Sequence, residues 1–337
     1  MLIPKFWAEA SVSLTRRTTN GRTKSRVIKR WGWSSESEAL ALDHAWQRLA
    51  QAHAAVLAGK EVRSIERRHL YPLEEGEPIR EEVLQEVGGT VLTRNTYGAV
   101  CLNSPNVLFV DIDHTPVKAQ WEMHATIFLV LVGMLNALWT EHALREAPAV
   151  LRLVAAMPLA ALCWLLVARP ALDWLWRKFK PTPFETSLAR VKDFAAKNPS
   201  WSLRVYETPA GLRVLVQHRT FTPNEPEVDY AFKALGADQR YAGLCRRQQC
   251  FRARLTPKPW RMGEWKEDAL SRKAWPVKGA DLATRQAWVE KYDLARIPYA
   301  GCKFLLELGA TTPCEEARHV RSVHDELSKA NSTLSLA

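Results

Sequence analysis

The chain has no Walker-type glycine loop, no HExxH helix and no GxSxG elbow. Without them it lacks the P-loop phosphate cradle, the two-histidine zinc site of metalloproteases and the nucleophile of serine hydrolases. It also lacks an internal repeat, which excludes a solenoid or propeller. Cysteine is scarce, six in 337 residues, and no secretory signal pattern opens the chain, so free thiols in a reducing compartment are expected in place of a disulfide framework. Apolar side chains make up 47% and charged ones 25%, enough to bury a core in one large or two small domains.

The mean hydropathy of −0.23 averages a mostly polar chain with two nearly uncharged windows. Ala125 to Thr140 carries no charged side chain, and Pro148 to Ala168 carries only Arg152, near one end. A hydrocarbon core about 30 Å thick takes roughly 20 helical residues, so these windows predict a two-helix transmembrane hairpin. Lys118 on one flank and Arg169, Arg177, Lys178 and Lys180 on the other place both flanks on the cytoplasmic side of a bacterial inner membrane. Trp121, Trp139, Trp174 and Trp176 read as interface anchors. A buried helical hairpin is the alternative.

Outside the windows the pattern is α+β. Alternation over Phe6 to Leu14 and again in SRVIKRWGWS predicts a β-hairpin. Ser35 and Glu38 then make a capping-box pattern ahead of Leu40, Ala45, Trp46, Leu49 and Val56 at helical spacing. PIREEVLQEV reads as a helix stopped by Gly88-Gly89. TVLT, GAVCLN and VLFVDID read as strands of one sheet, and FETSLARVKDFAAKN as a helix before the strands SLRVYE and LRVLVQH. Later residues are mainly helical, with a strand at CKFLLEL and a closing helix from Pro313 to about Ala330. The expected organisation is a hairpin plus helix (1–60), a first part of the cytosolic domain (61–122), the transmembrane hairpin (123–169) and a second part (181–337).

The net charge of +11 calls for an anionic partner: a nucleotide, a nucleic acid or the headgroups of a lipid bilayer. Asp111 and Asp113 fall on one face of their strand, where a close carboxylate pair suits Mg²⁺ or Mn²⁺; two solvated acids at a strand end are the alternative. Arg213 follows the turn Thr208-Pro209-Ala210-Gly211 and can present a cation to phosphate or simply decorate a hairpin, with His218 and Arg219 just beyond. Arg240 to Arg261 contains no acid, and its Arg252, Arg254, Lys258 and Arg261 are phosphate-binding candidates, with Tyr241, Phe251 and Trp260 available to stack on bases or to pack. A solvated face, or one against anionic lipid, competes with that reading, and the basic run Arg16 to Arg30 has the same two readings. Cys245, Cys250, Cys302 and Cys314 lack the spacing of a compact zinc knuckle.

The segments WGWS, PIREEVL, TRNTYGAVCLN, VLFVDIDH, ETPAGLRVLVQH and CFRARLTPKPW resemble a bacterial protein family of unassigned activity. More distantly, the Asp111-x-Asp113 strand, the following helix and the strand opened by Gly211 are similar to the catalytic core of the archaeo-eukaryotic primase superfamily. The resemblance implies an RRM-like or related sheet, with Asp111 and Asp113 as divalent-metal ligands for nucleotidyl transfer and Gly211 to Arg213 at the nucleotide-binding strand. Arg213 stands where that superfamily usually has histidine. A degenerate, phosphate-binding relative fits the pattern as well as an enzyme does. A non-enzymatic membrane-associated interaction protein, its basic patches on anionic lipid or a protein partner, is the competing function.

Overall fold

A computed structural model describes residues 1–17, 20, 23–64, 78–114, 126–134, 137, 148, 150, 154, 157–158, 161–171, 181–263, 275–277 and 279–337. The chain divides into two compact units, Met1–Asp113 with Val191–Ala337, and His114–Arg190.

The larger unit opens with a long hairpin, β1 (Phe6–Arg17) and β2 (Thr23–Ser34), paired from Phe6↔Ser34 to Arg17↔Thr23. Helix α1 (Glu38–Leu57) packs on it, capped by Ser37, whose hydroxyl accepts from Leu40 N at 3.2 Å. Ala10, Ile28, Ala45, Leu49 and Ala52 form the seam. Gly32 permits the close approach, since a Cβ there would lie 2.1 Å from Ala45 N.

Two antiparallel four-stranded sheets follow. One has the order β3-β4-β5-β9, from β3 (Glu82–Val87), β4 (Thr90–Arg94), β5 (Val100–Ser104) and β9 (Phe251–Arg254). The other has the order β11-β7-β8-β6, from β11 (Lys303–Leu308), β7 (Leu203–Thr208), β8 (Gly211–Val216) and β6 (Phe109–Asp113). Every residue of β8 is buried. Around the sheets lie α2 (Pro183–Lys197), α3 (Pro226–Leu235), α4 (Gln239–Gln248), α5 (Gly279–Ala295) and α6 (Glu315–Ser328), and the short β10 (Tyr299–Ala300) pairs in parallel with β12 (Ser335–Leu336).

Several expectations change, beginning with the cap of α1, which is Ser37 where the sequence pattern marked Ser35. Glu82–Val87 is a strand, because Gly88 and Gly89, both at positive φ, close a tight hairpin onto β4 where the sequence read a helix stop. TVLT and GAVCLN share a sheet, but VLFVDID belongs to the other. In an RRM-like βαββαβ unit the first strand lies between the third and fourth. Here β7 holds that place, and the Asp111 strand is at the end of the sheet beside β8.

The transmembrane hairpin is the largest correction. Among the described residues no helix is long and apolar enough to cross a membrane. At the two windows, 126–134 and 161–171 are helical, the second with a π-helical stretch at Trp164–Ala168. Leu129, Met134, Leu166 and Val167 in these pieces are exposed. Of the expected boundaries, Pro148 and Ala168 are described, whereas Ala125 and Thr140 lie outside the described residues, as do Trp121, Trp139, Trp174 and Trp176. The inner-membrane location with cytoplasmic flanks rested on that hairpin and loses its support with it.

Candidate functional site

The sequence-predicted cations separate into a buried set and an open set. Arg213 is 2% exposed and faces its cross-strand neighbour Asp111. Its Nε donates to Asp111 Oδ1 at 2.7 Å and its Nη2 to Asp111 Oδ2 at 3.1 Å, a fork that engages both carboxylate oxygens. Nη1 donates to Arg254 O at 2.7 Å and lies 3.4 Å from His324 Nε2. An arginine has only donors, so His324 Nε2 is the acceptor and Nδ1 carries the proton toward Asp325 Oδ1, 3.1 Å away. Burial opposes ionisation of Asp325, but hydrogen bonds from His324 and Tyr206 outweigh it and hold its carboxyl below the usual range. Arg252 is likewise internal: its Nη2 donates to Glu81 Oε2 at 2.6 Å and Nη1 to Gln248 Oε1 at 3.3 Å. Arg213 and Arg252 hold the molecule together and present nothing outward.

Arg254, Lys258 and Arg261 form the open set. β9 alternates Phe251 and Ala253 inward with Arg252 and Arg254 less buried, which places Arg254 at its last position. The chain then turns through Leu255 to Lys258, pinned where Val100 N donates to Thr256 Oγ1 at 2.8 Å and Tyr292 OH donates to Pro257 O at 2.8 Å. A 3-10 turn at Pro259–Arg261 ends it. Lys258 and Arg261 both sit below their usual pKa, through burial first and then the nearby Arg254 charge, with Arg261 adding to the effect on Lys258. Arg261 Nη1 is buried with no hydrogen-bond partner among the described residues. Trp260 is 52% exposed, with Lys258 Nζ 5.5 Å from its ring centroid and the Tyr97 ring edge-on at 5.2 Å. Burial pushes the Tyr97 hydroxyl above its usual range, and the nearby Arg254 charge opposes that shift.

Acids border these cations. Asp113 is exposed on the last residue of β6, and its carboxyl is raised by partial desolvation first and then by the charges of Asp238 and Asp111. Asp238 N donates to Asp111 O at 3.0 Å, while its own carboxylate caps α4 by accepting from Arg240 N at 2.8 Å. Tyr241 OH donates to Phe109 O at 3.0 Å, so α4 and the residue before it cover the outer edge of β6. Comparisons with protein-family models, curated proteins and solved structures gave no match. The site is therefore read from its own chemistry.

As a divalent-metal site the Asp111 and Asp113 pair falls short in this arrangement. Asp111 is already neutralised by Arg213, and among the described residues no group of three or more His, Cys, Asp or Glu is placed to hold a metal ion. Cys245 and Cys250 are buried, and burial pushes both thiols up, that of Cys250 to about 11. His218 packs against Trp201 at 4.9 Å and is lowered by burial and by Arg219, which itself pairs with Glu225 at 2.8 Å. Sequence reasoning missed Tyr97 and Asp238. Asp238 precedes α4 as a helix cap, a signal visible in the sequence, but its proximity to Asp113 is a tertiary fact.

Proposed function

We propose that the larger unit binds a phosphate-bearing ligand, a nucleotide or a nucleic-acid segment, at Arg254, Lys258 and Arg261. The observation that supports this reading is the buried Nη1 of Arg261, which has no hydrogen-bond partner among the described residues, beside two other cations. A buried donor without an acceptor costs roughly 1–3 kcal/mol. A phosphate would satisfy it and would relieve the mutual repulsion of the three charges. The exposed Trp260 indole offers a base a stacking surface beside that phosphate.

The proposal is of binding. Nucleotidyl transfer on the primase pattern would take Asp111 as a metal ligand, and here both of its oxygens accept from Arg213. The test is titration of the full chain with a nucleoside triphosphate and with inorganic tripolyphosphate, following heat, and intrinsic tryptophan fluorescence compared between wild type and Trp260→Phe. Both should bind the wild-type chain, the nucleotide more tightly, and Lys258→Ala/Arg261→Ala should weaken both by at least about tenfold. Failure of the wild-type chain to bind either, or unchanged binding in the double variant, removes the proposal.

A further inference from the structure

Helix α1 has no part in the Lys258 site, yet it carries more apolar surface than its packing uses. Ala41, Ala45, Leu49 and Ala52 are its buried residues, and they face the β1–β2 hairpin. A second stripe lies on another side of the helix: Ala39, Asp43, Trp46, Ala50, His53 and Leu57, at alternating steps of four and three residues. That spacing keeps side chains in one line along a helix and is the seam pattern of helix pairs. His53 is half-buried and the rest are exposed, Trp46 to 52% and Leu57 to 74%. Leu42, exposed as well, borders the stripe. Solvated helix faces are polar, so exposed apolar surface along a 20-residue helix, about 30 Å long, marks a contact surface.

We propose that α1 packs antiparallel against α1 of a second copy of this chain, across a two-fold axis midway between Trp46 and Ala50. Reversing the stripe sets Ala39 against the partner's Leu57, Asp43 against the partner's His53 and Trp46 against the partner's Ala50. Symmetry repeats each pair. Both large apolar side chains meet an alanine, so the two helices can close to about 8–10 Å with the indole and the leucine filling the seam. The stripe's acid meets its imidazole. Asp43 Oδ2 accepts from Gln47 Nε2 at 2.7 Å, which leaves Oδ1 for a ring N–H of that histidine. Antiparallel helices also oppose their dipoles.

Other arrangements fit less well. A parallel pair would set Trp46 against Trp46 and Asp43 against Asp43, overpacking one level and repelling at the next. A lipid interface calls for an uninterrupted apolar face, whereas Asp43 and His53 sit within this one. A helix of an unrelated protein would give the stripe no reason to complement itself at every level.

The test is the association state of the full chain at micromolar concentration and low salt, by sedimentation equilibrium. Asp43→Lys/His53→Lys sets lysine against lysine in the two-fold pair, and His53→Asp sets aspartate against aspartate, both outside the buried face of α1. Wild type should dimerise, and each variant should do so at least about tenfold more weakly, because like charges meet at the interface. An equimolar mixture of the two variants should recover dimers holding one copy of each, since every lysine then faces an aspartate. Both variants keep a strong net positive charge, so overall charge cannot draw them together. Asp43→Lys/His53→Asp, which exchanges the pair within one chain, should dimerise within about threefold of wild type. A monomeric wild type overturns the proposal, as does unchanged association in the two like-charged variants. So does failure of both the mixture and the exchanged variant to recover dimers.

Discussion

Arg213 on β8 grips Asp111 on β6 through a two-pronged fork, 2.7 Å from Nε to Oδ1 and 3.1 Å from Nη2 to Oδ2, directly across one strand pair. The acid that the sequence marks as a metal ligand is thereby the counter-ion of a fully buried cation. Removing one partner of a buried pair costs up to about 3–5 kcal/mol because it strands the other charge.

Asp111→Asn is therefore expected to act on stability. Asp111 keeps 29% of its side chain exposed, which screens part of the effect, so a loss of roughly 2 kcal/mol and a melting temperature lower by several degrees are expected. Calorimetric unfolding checks this, and an unchanged melting temperature would show that the fork contributes nothing.

Lys258 gives the proposed ligand site a pH signature. Its pKa is lowered by burial and by Arg254 and Arg261, so it deprotonates before an ordinary lysine would. Affinity for the phosphate ligand should be full at neutral pH and fall as pH rises through that lowered pKa. Lys258→Arg should carry binding to higher pH, since a guanidinium stays protonated. A profile that is flat on the alkaline side in wild type, or identical in the arginine variant, contradicts this assignment.

Gly211 should tolerate no side chain. A Cβ there would lie 1.8 Å from Ile112 O, a backbone atom of the neighbouring strand, so β8 and β6 would have to separate. Gly211→Ala is expected to cost about 2–3 kcal/mol in urea unfolding. Gly279→Ala, with open space around its Cβ at the first turn of α5, should be neutral or slightly stabilising. Equal behaviour of the two variants would mean that the strands yield easily.

Asp325 governs part of the acid limb. Its folded pKa lies below the ordinary carboxylate value, so its stabilising contribution is present above that value and is lost as pH falls through the folded one. In Asp325→Asn the loss of stability between neutral and acid pH should be shallower, starting from a lower plateau. Asp113 has the opposite sign: its raised pKa makes folding less favourable as pH rises from the usual carboxylate range through the folded value. Stability of Asp325→Asn and of Asp113→Asn measured across the acid range checks the pair.

Local chemistry was legible without the structure. The β1–β2 hairpin, helix α1 and the strands of VLFVDID, SLRVYE and LRVLVQH follow from alternation and turn residues, which act within a few positions of one another, although the cap of α1 is Ser37 and not the expected Ser35. The clustering of Lys258 and Arg261 was visible as well, because one short turn brings them together. PIREEVLQEV misled because two adjacent glycines serve both as a helix stop and as a hairpin turn. Only the pairing of β3 with β4 separates the two.

The sequence by itself determined the α+β composition, the basic character of the hairpin and of the 240–261 segment, and the same-face placement of Asp111 and Asp113. Each depends on residue type and on the period of one element. Tertiary structure alone decided that Arg213 takes up Asp111, that Glu81 takes up Arg252 and that Arg254, Lys258 and Arg261 are left together. Those outcomes depend on contacts between residues 102 and 171 positions apart in the two ion pairs, where chain distance carries no information about proximity. The two apolar windows show the same limit: composition measures transfer free energy and predicts a pair of spans, yet among the described residues no helix of the folded chain is long and apolar enough to cross a membrane.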